Sequence, residues 1–555
     1  MFEVDGIMVL TGHTKPEPQE EQKKSTLDQV NFNLKPEELK QHLDQYIIRQ
    51  DKAKAIIATK VCTHFNRIMF NRSLPEEDGG RSVGQIKNNI IMIGPTGVGK
   101  TYMIKLVAKK LGVPMVKADA TKFSETGYVG GDVEDLVRQL YYEAGEDKEL
   151  AEHGIIYLDE IDKIASTPHL IGPDVSRTGV QRALLKPMEE TEVDLKTPHD
   201  PVSQLQAMER YRRTGKVERK TINTKNILFI VSGAFNGLVD NIKKRMKAQG
   251  LGFTAQVSSR ELDYRFLHHV RAEDLIEFGF ESEFVGRLPV VAVLDPLSEE
   301  DLFQILKNQN NPIVTSKKKD FKAYNIDLVI EDAALAIFAR QAAEEKTGAR
   351  GLVSAMERAL IPFEAKLPST NITRLSVTAR TVEDPEADLA RLLTEPNAPD
   401  RARDFERLSA AERKDLLDVI MQNSDFLEYR YSLPLTPTRA GLLADFITNQ
   451  FLDLGAAAAQ LDRVYDEIEA CSLTFFERFG LTIEFTEGAA DELVRRVLIE
   501  GQKAEKVCEV FMRDFEYGLN LIKEKTGQSR FTITREAILD PESFLNDLIA
   551  DLFKA

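Results

Sequence analysis

Cysteine is scarce in this sequence, with three residues among 555. Cys62, Cys471 and Cys508 are widely separated and form no CxxC pair, so neither a structural zinc site nor a disulfide framework is expected. The chain also lacks a basic amino terminus, because Glu3 and Asp5 stand where a signal peptide carries positive charge, and no apolar run is long enough to span a bilayer. These absences predict a cytoplasmic protein with no zinc and no membrane partner.

Basic residues are also fewer than acidic residues. The sequence has 73 Lys and Arg residues against 89 Asp and Glu residues, which leaves a net charge of −16. This excess of negative charge argues against nucleic acid as the main partner. A chain of 555 residues is too long for one hydrophobic core, so several domains are expected.

Short apolar runs alternate with helical stretches from Asn89 onward. The runs are NNIIMIG, VPMVKAD, GIIYLDE and NILFIVSG. Buried runs of this length, joined by helices, indicate a parallel sheet covered on both faces. From about Ser298 the pattern becomes helical. The predicted class is therefore α/β.

One internal repeat is present in the C-terminal half. EDAA at 331–334 recurs as EGAA at 487–490, and DPE at 384–386 recurs as DPE at 540–542. Both pairs are 156 residues apart (487 − 331 and 540 − 384). A constant offset at both ends of a segment predicts that one small domain was copied, and chance matching of short motifs is the alternative.

GPTGVGKT at 94–101 fits the phosphate-binding pattern GxxxxGK[ST] between a strand and a helix. Glycines let backbone amides turn toward phosphates, and the helix adds the positive end of its dipole. Lys100 is expected to reach the β- and γ-phosphates and Thr101 to bind Mg²⁺. The residues predicted to hold ATP in this loop are Gly94, Pro95, Thr96, Gly97, Val98, Gly99, Lys100 and Thr101.

IIYLDE at 155–160 is a buried strand that ends in two carboxylates. Alone, such an end is usually a solvated edge, but here it follows a phosphate-binding loop. Asp159 is then expected to bind the metal together with Thr101, and Glu160 to polarise the attacking water. The pair predicts an ATPase rather than a protein that only binds nucleotide.

Several motifs resemble the ClpX branch of the AAA+ family. DEIDKIA at 159–165 and TGYVG at 126–130 are similar to motifs of Clp ATPases. Further similarity to ClpX is carried by LKPEELKQHLDQYIIRQDKAKA, DVSRTGVQRALLKPMEET, FGFESEFVGRLPV and EEKTGARGL. The resemblance extends from about residue 34 to about residue 390.

The resemblance implies roles for further nucleotide-site residues. Ile47 and Ile48 are expected to contact the adenine. Arg287 resembles the arginine finger that reaches a neighbouring subunit's nucleotide, and Arg350 resembles the sensor 2 residue of the small domain. Ser232 stands where a polar sensor 1 residue would, although a strand-end serine is often a cap. A surface salt bridge is the alternative for each arginine.

The resemblance also implies two loops that bind other proteins. Gly127, Tyr128, Val129 and Gly130 would form the pore loop that grips substrate, and the alternative for Tyr128 is a buried turn anchor. Leu251, Gly252 and Phe253 resemble the loop that docks on the ClpP peptidase, with Leu replacing Ile. The alternative is a loop that folds back on its own domain.

The chain departs from the family in three places. It has no cysteines for the zinc-binding adaptor domain that ClpX proteins usually carry. Arg49 replaces the family glycine after the adenine-contacting pair. Residues 395–555 have no ClpX counterpart. Within them, the second copy of the repeat has Lys506 at the position of Arg350 (350 + 156), and no phosphate-binding loop precedes this copy.

Together these features predict a P-loop AAA+ core, a small α+β lid and a mostly helical C-terminal extension with a second lid-like unit. The predicted parts are a flexible tail at 1–33, a large nucleotide-binding domain at 34–297, a small lid domain at 298–394, a helical linker region at 395–470 and a second lid-like domain without catalytic motifs at 471–555.

The predicted function is that of an ATP-dependent unfoldase. It would act as a homohexamer that threads protein substrates through its pore into a ClpP-type peptidase. One alternative is a stand-alone remodelling chaperone, and another is an ATP-switched scaffold or DNA-associated AAA+ protein. Glu160, Tyr128 and the acidic net charge argue against the latter. HslU is the nearest alternative within the family, because it shares the GYVG motif. It lacks an LGF-type loop, which distinguishes it from this chain.

Overall fold

The computed structural model describes residues 30, 33–73, 87–123, 131–166, 175–195, 220–248, 260–431 and 434–552. The chain divides into two compact units. The first runs to Asp301 and includes the short segment Glu345–Arg350, and the second comprises Leu302–Glu344 and the chain from Gly351. No helix in the described ranges is long and apolar enough to cross a membrane.

The first unit is built on a five-stranded sheet. Its strands are β1 (Ile90–Ile93), β2 (Met115–Asp119), β3 (Ile155–Asp159), β6 (Leu228–Gly233) and β7 (Val290–Val293). A separate antiparallel pair is formed by β4 (Glu192–Asp194) and β5 (Thr221–Asn223). The strands of the sheet lie in the order β2-β3-β6-β1-β7, and every neighbouring pair is parallel. The predicted α/β class is therefore confirmed.

Helices precede and connect these strands. They are α1 (Pro36–Asp44), α2 (Asp51–Ser73), α3 (Lys100–Leu111), α4 (Asp135–Glu143), α5 (Lys148–Ala151), α6 (Val175–Met188), α7 (Leu238–Ala248), α8 (Arg260–Leu267), α9 (Ala272–Phe278) and α10 (Ser282–Gly286). Each face of the sheet packs into its own hydrophobic core. Ile91 and Ile93 belong to one core, and the alternate residues Ile90 and Met92 belong to the other. Burial on both faces explains why β1 is a continuous apolar run.

The parallel arrangement brings distant parts of the sequence to one edge of the sheet. The phosphate-binding loop follows β1, and Asp159 is the last residue of β3. Ser232 lies near the end of β6, aligned with Met92 of β1. Since the carboxyl ends of parallel strands share an edge, the phosphate-binding loop, Asp159 and Ser232 come together there.

The remaining elements follow β7. They are α11 (Glu299–Lys307), α12 (Pro312–Lys322), β8 (Asp327–Ile330), α13 (Asp332–Glu345), α14 (Ala349–Lys366), β9 (Arg374–Val377), α15 (Ala379–Glu383), α16 (Pro385–Thr394), α17 (Pro399–Gln422), α18 (Ser424–Tyr431), α19 (Pro437–Gln450), α20 (Leu454–Phe479), β10 (Thr482–Phe485), α21 (Glu487–Leu498), α22 (Ala504–Thr526), β11 (Arg530–Ile533), α23 (Arg535–Leu539) and α24 (Pro541–Leu552).

The same run of elements occurs twice in this region. The order β8-α13-α14-β9-α15-α16 recurs as β10-α21-α22-β11-α23-α24. In each copy the two strands pair in parallel, with Asp327 aligned to Arg374 and Thr482 aligned to Arg530. The offset between Arg374 and Arg530 is again 156 residues (530 − 374). The mostly helical extension with a second lid-like unit is thus present.

The predicted boundary between residues 470 and 471 falls inside α20. Val464 and Ile468 precede this point, Cys471 and Phe475 follow it, and all four are buried in one core. A helix whose successive turns fill one core is a single packing element. Helix α20 is therefore shared by the linker region and the second lid-like copy.

Candidate functional site

The loop between β1 and α3 has the backbone geometry of a phosphate-binding loop, and all of residues 94–101 are described. Gly97 has a φ of 79° and Gly99 a φ of 95°, in the region that favours glycine. A Cβ at Gly97 would lie 2.0 Å from the carbonyl oxygen of Thr347, so no larger residue fits. Helix α3 begins at Lys100 and directs the positive end of its dipole toward the loop. These features fit the phosphates of a nucleotide.

The Lys100 ammonium group lies inside this loop. Its Nζ donates hydrogen bonds to the carbonyl oxygens of Gly94 at 2.6 Å and Pro95 at 2.8 Å. Burial lowers the pKa of Lys100 to about 8, although the charges of Asp159 and Asp162 raise it. The ammonium group is therefore held by carbonyl groups that a bound phosphate can replace.

Four side chains form a hydrogen-bonded cluster beside the loop. Ser232 Oγ donates to Asp159 Oδ1 at 2.6 Å, and Thr101 Oγ1 donates to Asp159 Oδ2 at 3.3 Å. The Tyr157 hydroxyl lies 2.7 Å from Ser232 Oγ and 3.1 Å from Thr101 Oγ1. Thr101 and Asp159 thus offer hard oxygen ligands side by side, which is the chemistry that Mg²⁺ prefers. The two predicted metal ligands fit this ion.

The Asp159 carboxylate is kept ionised by its surroundings. Burial raises its pKa, but hydrogen bonds from Ser232 and the Glu160 amide, with the charges of Lys117 and Lys100, outweigh burial and lower the pKa overall. Lys117 Nζ lies 3.6 Å from Asp159 Oδ2, the oxygen that also contacts Thr101. Asp159 Oδ1 is thus fixed by the Ser232 hydroxyl and the Glu160 amide, whereas Oδ2 faces Thr101 and the Lys117 ammonium group.

Two residues of this site, Tyr157 and Lys117, were not predicted from the sequence to have a role in it. Strands β2 and β3 pair so that Lys117 is aligned with Tyr157, and alternation places both on the face that carries Asp159. A hydroxyl-bearing aromatic in the otherwise aliphatic run IIYLD was an available signal for Tyr157. No comparable signal existed for Lys117, because its position depends on which strand lies next to β3.

Glu160 follows β3 in a left-handed conformation, with a φ of 57°. Its amide donates to Asp159 Oδ1 at 3.1 Å, which turns the chain at this point. The Glu160 side chain is exposed, and its carboxylate has no hydrogen bond or ion pair with another described residue. A carboxylate in this state next to a metal-binding corner can accept a proton from water.

The segment that contains Arg350 rests on the phosphate-binding loop. The Ala349 amide donates to the Gly97 carbonyl oxygen at 2.9 Å. A Cβ at Gly348 would lie 2.8 Å from the same oxygen, so the two backbones are in close contact. Arg350 is near enough that its charge lowers the pKa of Lys100, after the larger effect of burial.

The segment predicted to contact adenine lies between α1 and α2. Ile47 is buried and Ile48 is partly exposed. Arg49, which replaces the family glycine, has a left-handed φ of 60°. Arg49 Nη1 lies 2.6 Å from Asp301 Oδ2, and this ion pair holds the residue in a conformation that glycine adopts without strain.

Arg287 lies away from the phosphate-binding loop of its own chain. It precedes β7, which runs parallel to β1 with Val290 aligned to Ile90. Its carbonyl oxygen accepts a hydrogen bond of 3.1 Å from Asn89, the residue before β1. The guanidinium is about half exposed and pairs with Glu189. Arg287 and the loop therefore lie at opposite ends of β1, which are separated by about 10 Å of strand.

Two predicted protein-binding loops lie outside the described residues. These are the pore loop, with Gly127, Tyr128, Val129 and Gly130, and the docking loop, with Leu251, Gly252 and Phe253. Their roles stay predictions from the sequence.

Two family models match the chain between residues 85 and 372. Residues 85–291 match the AAA domain (Cdc48 subfamily), and residues 297–372 match the C-terminal, D2-small domain of ClpB protein. The first match includes the parallel sheet, the phosphate-binding loop and the cluster around Asp159.

Curated relatives match a longer part of the chain. It is 40% identical over 370 residues to the ATP-dependent Clp protease ATP-binding subunit ClpX of Borrelia duttonii and of Borrelia recurrentis, covering 63% of this chain and 82% of each relative. It is 38% identical over 388 residues to ATP-dependent Clp protease ATP-binding subunit ClpX 3 of Methylococcus capsulatus, covering 68% of this chain and 86% of the relative. The chain therefore belongs to the ClpX family of AAA+ proteins and is an ATPase.

Proposed function

We propose that this ATPase unfolds proteins as a homohexamer, threads them through a central pore and delivers them to a ClpP-type peptidase in the cytoplasm. The observation that carries the assembly is the position of Arg287 at the end of β1 opposite the phosphate-binding loop. An arginine that serves hydrolysis from this position acts on the site of a neighbouring copy. The relatives are named ATP-binding subunits of an ATP-dependent Clp protease, which supports a peptidase as the partner of this ATPase.

Each residue of the cluster has a distinct task in hydrolysis. Bound ATP and Mg²⁺ supply the bond that is cleaved and the positive charge that stabilises its cleavage. Thr101 and Asp159 bind the metal, and Lys100 holds the phosphates. Glu160 takes the proton of the attacking water. Ser232 fixes the orientation of the Asp159 carboxylate through their hydrogen bond of 2.6 Å.

Arg350 couples the nucleotide to the second unit. The segment Glu345–Arg350 belongs to the first unit, whereas the chain on both sides of it belongs to the second. Its backbone is hydrogen-bonded to Gly97 of the phosphate-binding loop. A change in the loop on hydrolysis therefore reaches the second unit through the chain itself.

Two further roles are supported by the sequence alone. These are substrate grip by Tyr128 and peptidase docking by Leu251, Gly252 and Phe253.

A stand-alone remodelling chaperone is the second candidate. It is favoured by the C-terminal extension, since the matches to the relatives cover only 63% and 68% of this chain. In that case residues 395–555 choose substrates without a peptidase.

The proposal is tested with the full-length chain, a ClpP-type peptidase from the same organism and fluorescein-labelled casein. Release of fluorescent peptides should require both ATP and the peptidase. Tyr128→Ala should keep ATP hydrolysis but lose peptide release, because grip rather than chemistry is removed. Tyr142→Ala is the matched control, since Tyr142 is an exposed tyrosine on α4.

The outcomes separate the candidates. Peptide release that persists after Leu251 and Phe253 are both replaced by alanine would remove the docking assignment. ATP-dependent unfolding of a stable fluorescent protein without peptide release would favour the stand-alone chaperone. Absence of ATP-dependent unfolding in both assays would contradict the proposed function.

A further inference from the structure

Two of the three cysteines meet in the second unit. Cys471 lies on α20 and Cys508 on α22, and these two helices pack against each other. The two thiol groups are 37 positions apart in the sequence (508 − 471) but lie close enough in the fold to change each other's pKa, and neither is in a disulfide. The two cysteines are therefore distant in the sequence but close together in the fold.

The two thiols have unequal environments. Cys471 is 3% exposed, whereas Cys508 is partly exposed. The neighbouring Cys508 raises the pKa of the Cys471 thiol, and burial raises it further. The neighbouring Cys471 lowers the pKa of Cys508, although burial and Glu467 oppose this effect. Because an oxidant must reach the sulfur that it attacks, the partly exposed Cys508 is the more reactive of the two.

Both cysteines line one cavity of about 1000 Å³. Its wall also carries Arg463, Glu467 and Lys503, so charged residues line part of the cavity. A small polar oxidant therefore has room to reach Cys508. Cys62 differs from this pair, because it is 1% exposed and burial raises its pKa to about 11.

We propose that Cys471 and Cys508 are a modification site at which hydrogen peroxide forms a disulfide between α20 and α22. The Cys508 thiolate attacks the peroxide oxygen, the O–O bond breaks, and Cys508 becomes a sulfenic acid as hydroxide leaves. The Cys471 sulfur then attacks the Cys508 sulfur, the S–O bond breaks, and water leaves with the Cys471 proton. Two thiols are oxidised, and one peroxide is reduced to two waters.

This bond would link the helix that enters the second lid-like copy to the long helix within it. Closing the chain between Cys471 and Cys508 restricts the unfolded state of this region. The modification acts outside the phosphate-binding loop and needs no nucleotide, so it is independent of the proposed unfoldase activity.

The test uses the native full-length protein, reduced and then treated with a small excess of hydrogen peroxide. Remaining thiols are alkylated in denaturant and counted by mass spectrometry. The expected result is a fall from three free thiols to one, with a peptide cross-link between Cys471 and Cys508 and no dimer. Retention of all three thiols, or a disulfide that includes Cys62, would overturn the proposal.

Single substitutions test the order of the two steps. Cys471→Ser should leave Cys508 reactive, so that a sulfenic acid accumulates and is trapped by dimedone. Cys508→Ser should leave Cys471 unreacted, because that thiol is buried and has a raised pKa. Cys62→Ser is the control and should form the disulfide at the parental rate. Equal trapping of a sulfenic acid in the Cys471→Ser and Cys508→Ser variants would contradict the assigned order.

Discussion

The amide of Ala349 donates a hydrogen bond of 2.9 Å to the carbonyl oxygen of Gly97, which joins the Arg350 segment to the phosphate-binding loop. The preceding residue, Gly348, approaches the same oxygen so closely that a side chain has no space. The loop and the segment are therefore one packed arrangement. A change in either backbone moves both Arg350 and the groups that hold phosphate.

Gly348→Ala should separate this segment from the loop. The new Cβ would lie 2.8 Å from the Gly97 oxygen, and the φ of 63° adds strain of about 1–2 kcal/mol for alanine. We expect the Kd for ATP, measured with a fluorescent analogue, to rise by about tenfold or more, equivalent to a loss of about 1.4 kcal/mol of binding free energy. Gly527→Ala is the matched control, because Gly527 has a φ of 74° but no atom within 4 Å of its added Cβ. A parental Kd in Gly348→Ala would show that the contact does not shape the site.

Ser232→Ala should weaken Mg²⁺ binding. Asp159 Oδ1 would lose its 2.6 Å hydrogen bond and the carboxylate its fixed orientation. Loss of a partner that orients a metal ligand costs about 10–100-fold in metal affinity. The measurement is the Mg²⁺ concentration at half-maximal binding of a fluorescent nucleotide. Tyr157→Phe keeps the bond between Ser232 and Asp159 and should shift this midpoint less, so an equal shift in both variants would argue against a direct role of Ser232.

Lys117→Met should have the opposite effect. The Lys117 ammonium group lies 3.6 Å from the Asp159 oxygen that faces Thr101, so it competes with the metal for that oxygen. The lysine is 45% exposed, so solvent screens the charge and the Mg²⁺ midpoint should fall by only about fivefold. Lys122→Met removes the same charge from a lysine that is not paired with Asp159. A midpoint that rises in Lys117→Met would mean that Lys117 assists the metal.

The order of the nucleotide-site motifs could be predicted from the sequence. Gly94–Thr101 and Asp159 each follow a buried strand, and parallel strands bring such ends to one edge. A serine at a strand end has several uses, so the sequence alone does not assign Ser232 to the site, and its contact with Asp159 follows from β6 lying next to β3. A site that is formed by the ends of parallel strands can therefore be predicted from sequence patterns.

The rest depends on which elements become neighbours. Lys117 reaches Asp159 because β2 is adjacent to β3, and no local pattern sets that order. Cys471 and Cys508 meet because α20 packs on α22, although their spacing in the sequence suggested isolated thiols. The left-handed conformation of Arg49 could not be predicted from the sequence either. Its ion pair with Asp301 joins residues that are far apart in the chain.

In the proposed assembly, Arg287 of a neighbouring copy completes each nucleotide site. This arrangement can be tested by mixing two variants, Arg287→Ala and Glu160→Gln, and measuring ATP hydrolysis. Each alone should hydrolyse ATP at least about 100-fold more slowly than the parent, because each lacks one catalytic group at every site.

In mixed assemblies, an Arg287→Ala copy keeps its own Glu160 and receives Arg287 from a Glu160→Gln neighbour. Random assembly of equal amounts makes about one interface in four complete, so about a quarter of the parental rate should return if sites act independently. Assemblies of parental size by light scattering exclude a failure to associate. We expect recovery to roughly that level, and a mixture as inactive as its two components would show that Arg287 does not act on the site of a neighbouring copy.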